Sequence, residues 1–483
     1  MDLITFIAGL VILFVGGAVY GKICEKVFSP DDRPTPAVTN NDGVDFVPLK
    51  KWKNCLIQVL NIAGTGPVLG PIQGILFGPI AFITIPIGCV IAGAFHDYMC
   101  GMISVRNGGK QTPNLIRNYL GKYAYGIYIV FVCILLLLLG TVFAYMPGDV
   151  FVTSILKADS GIDNPVLWIA YGVIFAYFII ASVLPIDKII GRIYPILGGV
   201  LLLSSVGILV GIIVKGYPLD EIWNVGVFGV HPKGLKFIPI FFVTVACGII
   251  SGFHSTQSTI VSRTIESEKH GRGVFYNMMI AEGFIAMTWA AATMGVMNMG
   301  FANADTPATD IVGIVAINLL GTIGGTIAVI GIIILPITSG DTAFRSLRLI
   351  LSETLPMGKN SKAKKLIIST VVFVSAAGIL IFSKSNPDGF SLLWRYSAWA
   401  NQVITVFTLS MISVYMIKTK KPFAMALLPG MFYMFVISAF ILNAQIGFNM
   451  SYMSACIASA VLMIVYCVAV VFCGRIRLKE QSL

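Results

Sequence analysis

The sequence predicts an all-α integral membrane protein of about thirteen transmembrane helices, in which two broken helices stand five spans apart. Three observations carry that prediction. Hydrophobic residues make up 57% of the 483 positions and charged residues only 11%, against about 25% charged in soluble domains. Thirteen apolar runs approach or exceed the roughly 20 residues that a helix needs to cross the hydrocarbon layer. The basic residues also alternate between successive loops. Together these exclude ordinary soluble enzymes and disordered chains. A net charge of +11 would suggest a nucleic-acid partner in a soluble domain; here the cations sit in loops, so no nucleic acid is expected.

In chain order the runs cover 3–20, 55–77, 80–104, 123–145, 166–184, 193–214, 237–258, 274–297, 324–344, 366–382, 392–417, 423–442 and 452–473. The first begins with no basic segment before it and no small-residue cleavage site after it, so it is expected to remain as a helix. The stretch 306–320 is apolar but short and holds Asp310; it is expected to be an interfacial or re-entrant helix packed on the next span. With the N-terminus outside, 27 of the 33 Lys and Arg fall in the inner loops and the C-terminal tail. Only Lys157, Lys215, Lys233, Lys236, Lys384 and Arg395 are left for the other side. That asymmetry predicts a cytoplasmic C-terminus, with lipid around the bundle.

Nine cysteines are scattered without a CxxC pair, and the four histidines stand apart at positions 96, 231, 254 and 270. No metal-ligand spacing results, and the cysteines read as small buried apolar side chains. The absence of HExxH and GxSxG patterns weighs against an enzyme, so no catalytic residue and no resident cofactor are expected.

Span 2 contains Asn61-Ile-Ala-Gly-Thr-Gly-Pro-Val-Leu-Gly-Pro71, where Pro67 and Pro71 remove backbone donors and helical hydrogen bonding cannot run through. Span 7 contains Gly248-Ile-Ile-Ser-Gly-Phe-His-Ser-Thr256 at comparable depth. Glycine-rich helix-packing faces are the competing explanation. Their five-helix separation argues for two consecutive units, 55–214 and 237–418, each opening on a broken helix. An odd number of spans forces the second unit to insert upside down, and such inverted repeats bind substrate between their broken helices. Residues 1–54 and 419–483 are then additions at either end, holding one span and two spans.

A half-helix that starts inside the membrane presents free N–H groups and a positive dipole end, which attract a carboxylate. Gly64, Thr65 and Gly66 supply that site, with Gly252, His254 and Ser255 of span 7 completing the cavity. Intramembrane ionisable groups are functional candidates by default. They are Asp97 beside His96, Glu282, Asp341 and His254. Asp97 is as well explained by a structural pair with a loop cation as by a proton relay, and His254 by a satisfied core imidazole as by a pH-responsive one. In span 9, Thr338, Asp341 and Thr342 share one helical face, with Ser339 adjacent. These hard oxygens suit a proton or a small hard cation; hydroxyls bonding back to their own helix are the alternative.

At these residues the sequence resembles the carbon starvation protein A (CstA) family of bacterial membrane proteins. The matching stretches are Ile62-Ala-Gly-Thr-Gly-Pro67, Ala92-Gly-Ala-Phe-His-Asp-Tyr98, Arg192-Ile-Tyr-Pro195, Cys247-Gly-Ile-Ile-Ser-Gly-Phe-His254, Gly273-Val-Phe-Tyr-Asn-Met-Met-Ile-Ala-Glu282 and Ile337-Thr-Ser-Gly-Asp-Thr342. The resemblance implies uptake of peptides during nutrient limitation, with pyruvate for some relatives, and the chain looks like the shorter branch of that family. Thr338 and Ser339 also resemble the cation-site pair of sodium symporters with the LeuT-type (APC superfamily) fold, which implies Na+ facing freed carbonyls near Asn61 and Ala63.

The resulting expectation is a secondary transporter that imports short peptides by alternating access on a proton or sodium gradient. Pyruvate or another small monocarboxylate is the rival substrate; a channel or a nutrient sensor is the rival of another class. Oligomeric state has no signature in the sequence.

Overall fold

The computed structural model describes residues 3–43, 45–183, 187–226, 231–354 and 362–479, with side chains described outside 182–197 and 353–365. The Arg192-Ile-Tyr-Pro195 match therefore lies outside the described side chains. Apart from one isolated bridge between Leu49 and Ile265, the regular structure of the described residues is helical. This follows from the solvent: in hydrocarbon a chain must satisfy its backbone groups within the segment, and a helix does so.

The helices are α1 (Ile4–Phe28), α2 (Lys51–Ile62), α3 (Gly66–Gly74), α4 (Ala81–Arg106), the short α5 (Thr112–Leu120), α6 (Lys122–Ile155), α7 (Pro165–Val183) and α8 (Asp187–Lys215). After them come α9 (Phe237–Thr244), α10 (Ala246–Ile249), α11 (Gly252–Val261), α12 (Glu268–Asn298) and α13 (Ala308–Thr354). The last four are α14 (Lys362–Lys384), α15 (Gly389–Lys418), α16 (Ala424–Asn443) and α17 (Tyr452–Lys479).

Among the described residues ten helices are long and apolar enough to cross a membrane, or eleven if the bent pair α2–α3 counts as one span. The protein is a multi-pass membrane protein. Each of the thirteen apolar runs falls on helix. Two miss the length criterion: α7, whose described apolar part is Pro165–Ala181, and the 237–258 run, which is cut into α9, α10 and α11. Residues 308–320 form helix and fold against the following span at Gly321, whose φ of 74° suits a residue without a Cβ. Gly325 then lies against the Ala316 carbonyl so closely that a Cβ there would come within 2.7 Å of it.

The loops sort onto two faces. On the N-terminal face Glu221 accepts from the backbone of Ile4 and Thr5, Lys233 reaches Asp388 at 2.7 Å, and the Tyr452 hydroxyl donates to the Ile238 carbonyl. On the opposite face Arg106 pairs with Glu268 at 2.9 Å, Arg263 donates to Gly109 O, and Lys421 donates to the carbonyls of Val27 and Phe28. Apolar residues of α1 and α17, such as Val11, Val15, Val461 and Phe472, stay exposed. Surfaces of this kind are covered by lipid in a membrane protein.

Candidate functional site: two helix breaks around a buried cavity

α2 stops because Ala63 leaves the helical region (φ −81°, ψ 57°), and α3 restarts at Gly66 with Pro67 in its first turn, where a missing N–H is no loss. The two pieces meet at 49°. The second break is wider. Ile250 and Ser251 are extended, so the helical ladder is interrupted here and polar groups around the break need partners from elsewhere. α15 supplies several of them. Asn401 Nδ2 donates to Ser251 Oγ at 2.9 Å while its Oδ1 accepts from the Phe253 N–H at 2.8 Å, and Gln402 Nε2 donates to the Ile250 carbonyl at 3.2 Å.

The breaks touch each other through glycines. A Cβ on Gly66 would lie 2.4 Å from Cys247 Sγ, and one on Gly74 would lie 2.2 Å from Val245 Cγ2. Gly252 is equally confined, with the Asn401 carbonyl 2.4 Å from where its Cβ would be.

Between the breaks lies a cavity of about 40 Å³, walled by Asn61, Gly64, Thr65 and Gly66 from the first break and by Cys247, Phe253 and His254 from the second. Ser339 of α13 and Trp394, Ser397 and Asn401 of α15 complete it. Thr65 Oγ1 is buried and makes no hydrogen bond. A buried hydroxyl without a partner is costly, so this one is suited to a ligand. On the opposite face a larger cavity of about 620 Å³ shares two wall residues, Leu135 and Phe253, with the small one.

Behind His254 stands a buried charge cluster. His96 Nδ1 lies 2.8 Å from Asp97 Oδ1 and His254 Nδ1 lies 3.0 Å from Asp97 Oδ2, while His254 Nε2 lies 3.4 Å from Glu282 Oε2. All four side chains are at most 1% exposed. Neither Glu282 oxygen has a hydrogen-bond partner. His254 Nε2 is likewise without a hydrogen-bond partner, so the imidazole and the carboxylate face each other across a contact in which either can carry a proton. A π-helical turn at Cys89–Gly93 immediately precedes His96 and Asp97, and such turns recur at functional sites.

The structure thus gathers Asn61, Gly64, Thr65, Gly66, His254 and Ser339 on one cavity, with Asp97 and Glu282 reached through His254. It sets the other sequence candidates apart. Ser255 donates to the Gly252 carbonyl at 2.6 Å and lies outside the cavity wall, as do Gly252 and Ala63. Thr338 and Ser339 donate to the Leu335 carbonyl at 2.7 and 3.1 Å, and Thr342 donates to Thr338 O, which is the back-bonded arrangement. Asp341 stands 3.4 Å from Arg345 one turn on. Among the described residues no group of three His, Cys, Asp or Glu forms a metal-holding cluster. Sequence reasoning missed Asn401 and Gln402, although two consecutive amides in an apolar span were a visible signal.

This architecture, broken helices crossing around a buried site, has structural neighbours among membrane transporters. A crystal structure of the Eremococcus coleocola manganese transporter superposes with a TM-score of 0.55, covering 91% of this chain and 99% of that one at 11% identity; the likeness is one of fold. The family model for carbon starvation protein CstA matches residues 1–160, 162–318 and 311–440. The chain belongs to that family. It is 40% identical over 335 residues to a membrane protein of Haemophilus influenzae, covering 60% of this chain and 90% of that one. It is 26% identical over 380 residues to the peptide transporter CstA of Campylobacter jejuni, covering 66% of this chain and 53% of that protein. The pyruvate/proton symporter BtsT of Escherichia coli is 26% identical over 347 residues, 59% of this chain and 48% of that protein. The chain thus spans about half the length of these two named transporters.

Proposed function

We propose that the protein is a secondary active transporter that imports short peptides across the bacterial inner membrane during nutrient limitation, by alternating access coupled to a proton gradient. The observation that carries this reading is the contact of two broken helices around a cavity backed by His254, Asp97 and Glu282. The names of relatives in the family support the substrate class.

In this reading all thirteen runs span the membrane, spans 2–6 and 7–11 form LeuT-like inverted repeats, and the N-terminus is outside with the C-terminus in the cytoplasm. The substrate carboxylate rests on the N-terminus of α3, at Gly64, Thr65 and Gly66. The proton shared by His254 and Glu282 is the coupling proton. Sodium held by Thr338 and Ser339 with the carbonyls near Asn61 and Ala63 is the alternative coupling ion, and Asp341 and Asp97 are the alternative proton carriers.

The cavity of about 40 Å³ holds a few waters at most. In this reading it is too small for a peptide and must widen to admit one, and the 620 Å³ space beyond Phe253 and Leu135 is the cytoplasmic exit. Pyruvate is the second reading, favoured by that small volume and by the pyruvate/proton symporter among the relatives.

The test is uptake of labelled dialanine and labelled pyruvate into proteoliposomes under separately imposed proton and sodium gradients. Accumulation of dialanine on a proton gradient is expected. Downhill flux indifferent to every gradient would leave a facilitator or channel, and no flux of either would leave a sensor.

A further inference from the structure

The N-terminal face opens into another cavity, of about 280 Å³, which reaches down to Gln73 of α3 and Thr244 of α9. Its charged wall residues are Asp149, Lys233, Asp305, Lys384, Asp388 and Arg395. Formally neutral, the set is unequally matched. Lys384 is 2.7 Å from Asp149, whose other oxygen accepts from the Tyr171 hydroxyl. Lys233 is 2.7 Å from Asp388 and 3.9 Å from Asp305 at the exposed rim. His231 adds no charge at neutral pH, because burial first and then Arg395 and Lys233 lower its pKa to about 4.

Arg395 is different. Among the described residues it makes no hydrogen bond and no ion pair within 4 Å, and its Nε is buried without a partner. Six residues after α15 begins at Gly389, it lines the cavity with its Nε shut off from water and, among the described residues, no carboxylate within 4 Å. The preceding residue, Trp394, walls the central cavity and donates to the Thr244 carbonyl at 2.9 Å. With Phe390 and Tyr145, whose rings are 5.1 Å apart, it forms an aromatic layer between the two spaces.

We propose that Arg395 is the entry site for the substrate carboxylate. The guanidinium takes the carboxylate in a two-bond fork above the aromatic layer, before the layer opens and passes the substrate to Thr65 and Gly66. The ligand chemistry is a carboxylate, whether a peptide terminus or a small monocarboxylate. The inference rests on the transport reading, and the experiment separates the two.

Dialanine, dialanine amide and pyruvate are titrated calorimetrically into the solubilised full chain, and the same compounds are followed in proteoliposome uptake, for wild type, Arg395→Gln and Arg395→Lys. Expected is a rise of about tenfold or more in Kd and in KM for the carboxylate ligand in Arg395→Gln, partial recovery in Arg395→Lys, and no change for the amide. Which of dialanine or pyruvate responds identifies the source of the carboxylate. Carboxylate binding that depends on Arg395 in a chain that transports neither compound would keep the entry site and remove the transport reading. Kd and KM unchanged within twofold in Arg395→Gln, or no binding of either carboxylate to wild type, would overturn the entry site.

Discussion

Replacing Glu282 by Gln keeps the shape of the side chain and removes its ability to carry a proton. His254 Nε2 and Glu282 Oε2 are 3.4 Å apart, and both side chains are at most 1% exposed. With an effective dielectric constant of about 20, a charged pair at that distance is held by about 5 kcal/mol. Moving the proton onto Glu282 gives up that attraction, and in the transport reading proposed above this pair carries the coupling proton. A gradient of one pH unit is worth about 1.4 kcal/mol per proton, or about tenfold accumulation of substrate. In proteoliposomes, Glu282→Gln is expected to reduce gradient-driven accumulation from about tenfold to unity. Exchange of internal for external substrate should persist, since the cavity wall at Gly64, Thr65 and Gly66 is untouched. A Glu282→Gln protein that still accumulates substrate on the same gradient would refute the assignment of the coupling proton to this pair. Loss of exchange as well would make Glu282 a structural group.

Four further outcomes are expected. Thr65→Val removes a buried hydroxyl that has no protein partner, so KM should rise about fivefold to tenfold, roughly one hydrogen bond, with no fall in Tm; a lower Tm would mean that the hydroxyl has a structural partner. Asn401→Leu strands the Phe253 N–H and Ser251 and should destabilise the chain by about 2–4 kcal/mol, read by thermal unfolding in detergent, where an unchanged Tm would contradict the role given to Asn401. Gly74→Ala meets Val245 Cγ2 at 2.2 Å and should lower Tm by overpacking, while adding Val245→Ala should restore it; failure of the double variant to recover would place the clash elsewhere. His231 lies in the loop before α9, and its pKa is lowered to about 4 by burial and then by Arg395 and Lys233. The folded state therefore binds this proton less well than the unfolded chain, whose His titrates near 6.5. Its contribution to stability is complete above pH 6.5 and is lost progressively as pH falls toward 4. His231→Gln should flatten Tm against pH in that window, and an identical pH profile would refute it.

Much of this was legible in the linear chain. The thirteen apolar runs fall on helices, because a hydrocarbon solvent leaves the backbone few other choices. Both breaks were legible as well, since Pro67, Pro71 and the glycines around Ser251 and Gly252 report backbone that cannot continue as regular helix. Glu282, Asp97 and His254 stood out because ionisable groups are rare in such runs.

The sequence by itself therefore determined the solvent, the helical class, the positions of the breaks and the identity of the buried charges, all of which follow from local composition. Only the tertiary structure decided which of these meet. Asp97, His254 and Glu282 lie on three different helices, and nothing in their spacing says that one imidazole bridges two carboxylates. Neither does it say that Asn401 and Gln402, some 150 residues away, tie down the second break, or that Asp341 turns to Arg345 rather than to the cavity. Those pairings depend on how helices cross, and the crossings are set by close contacts such as Gly66 on Cys247 and Gly252 on Asn401, which join residues far apart in the chain.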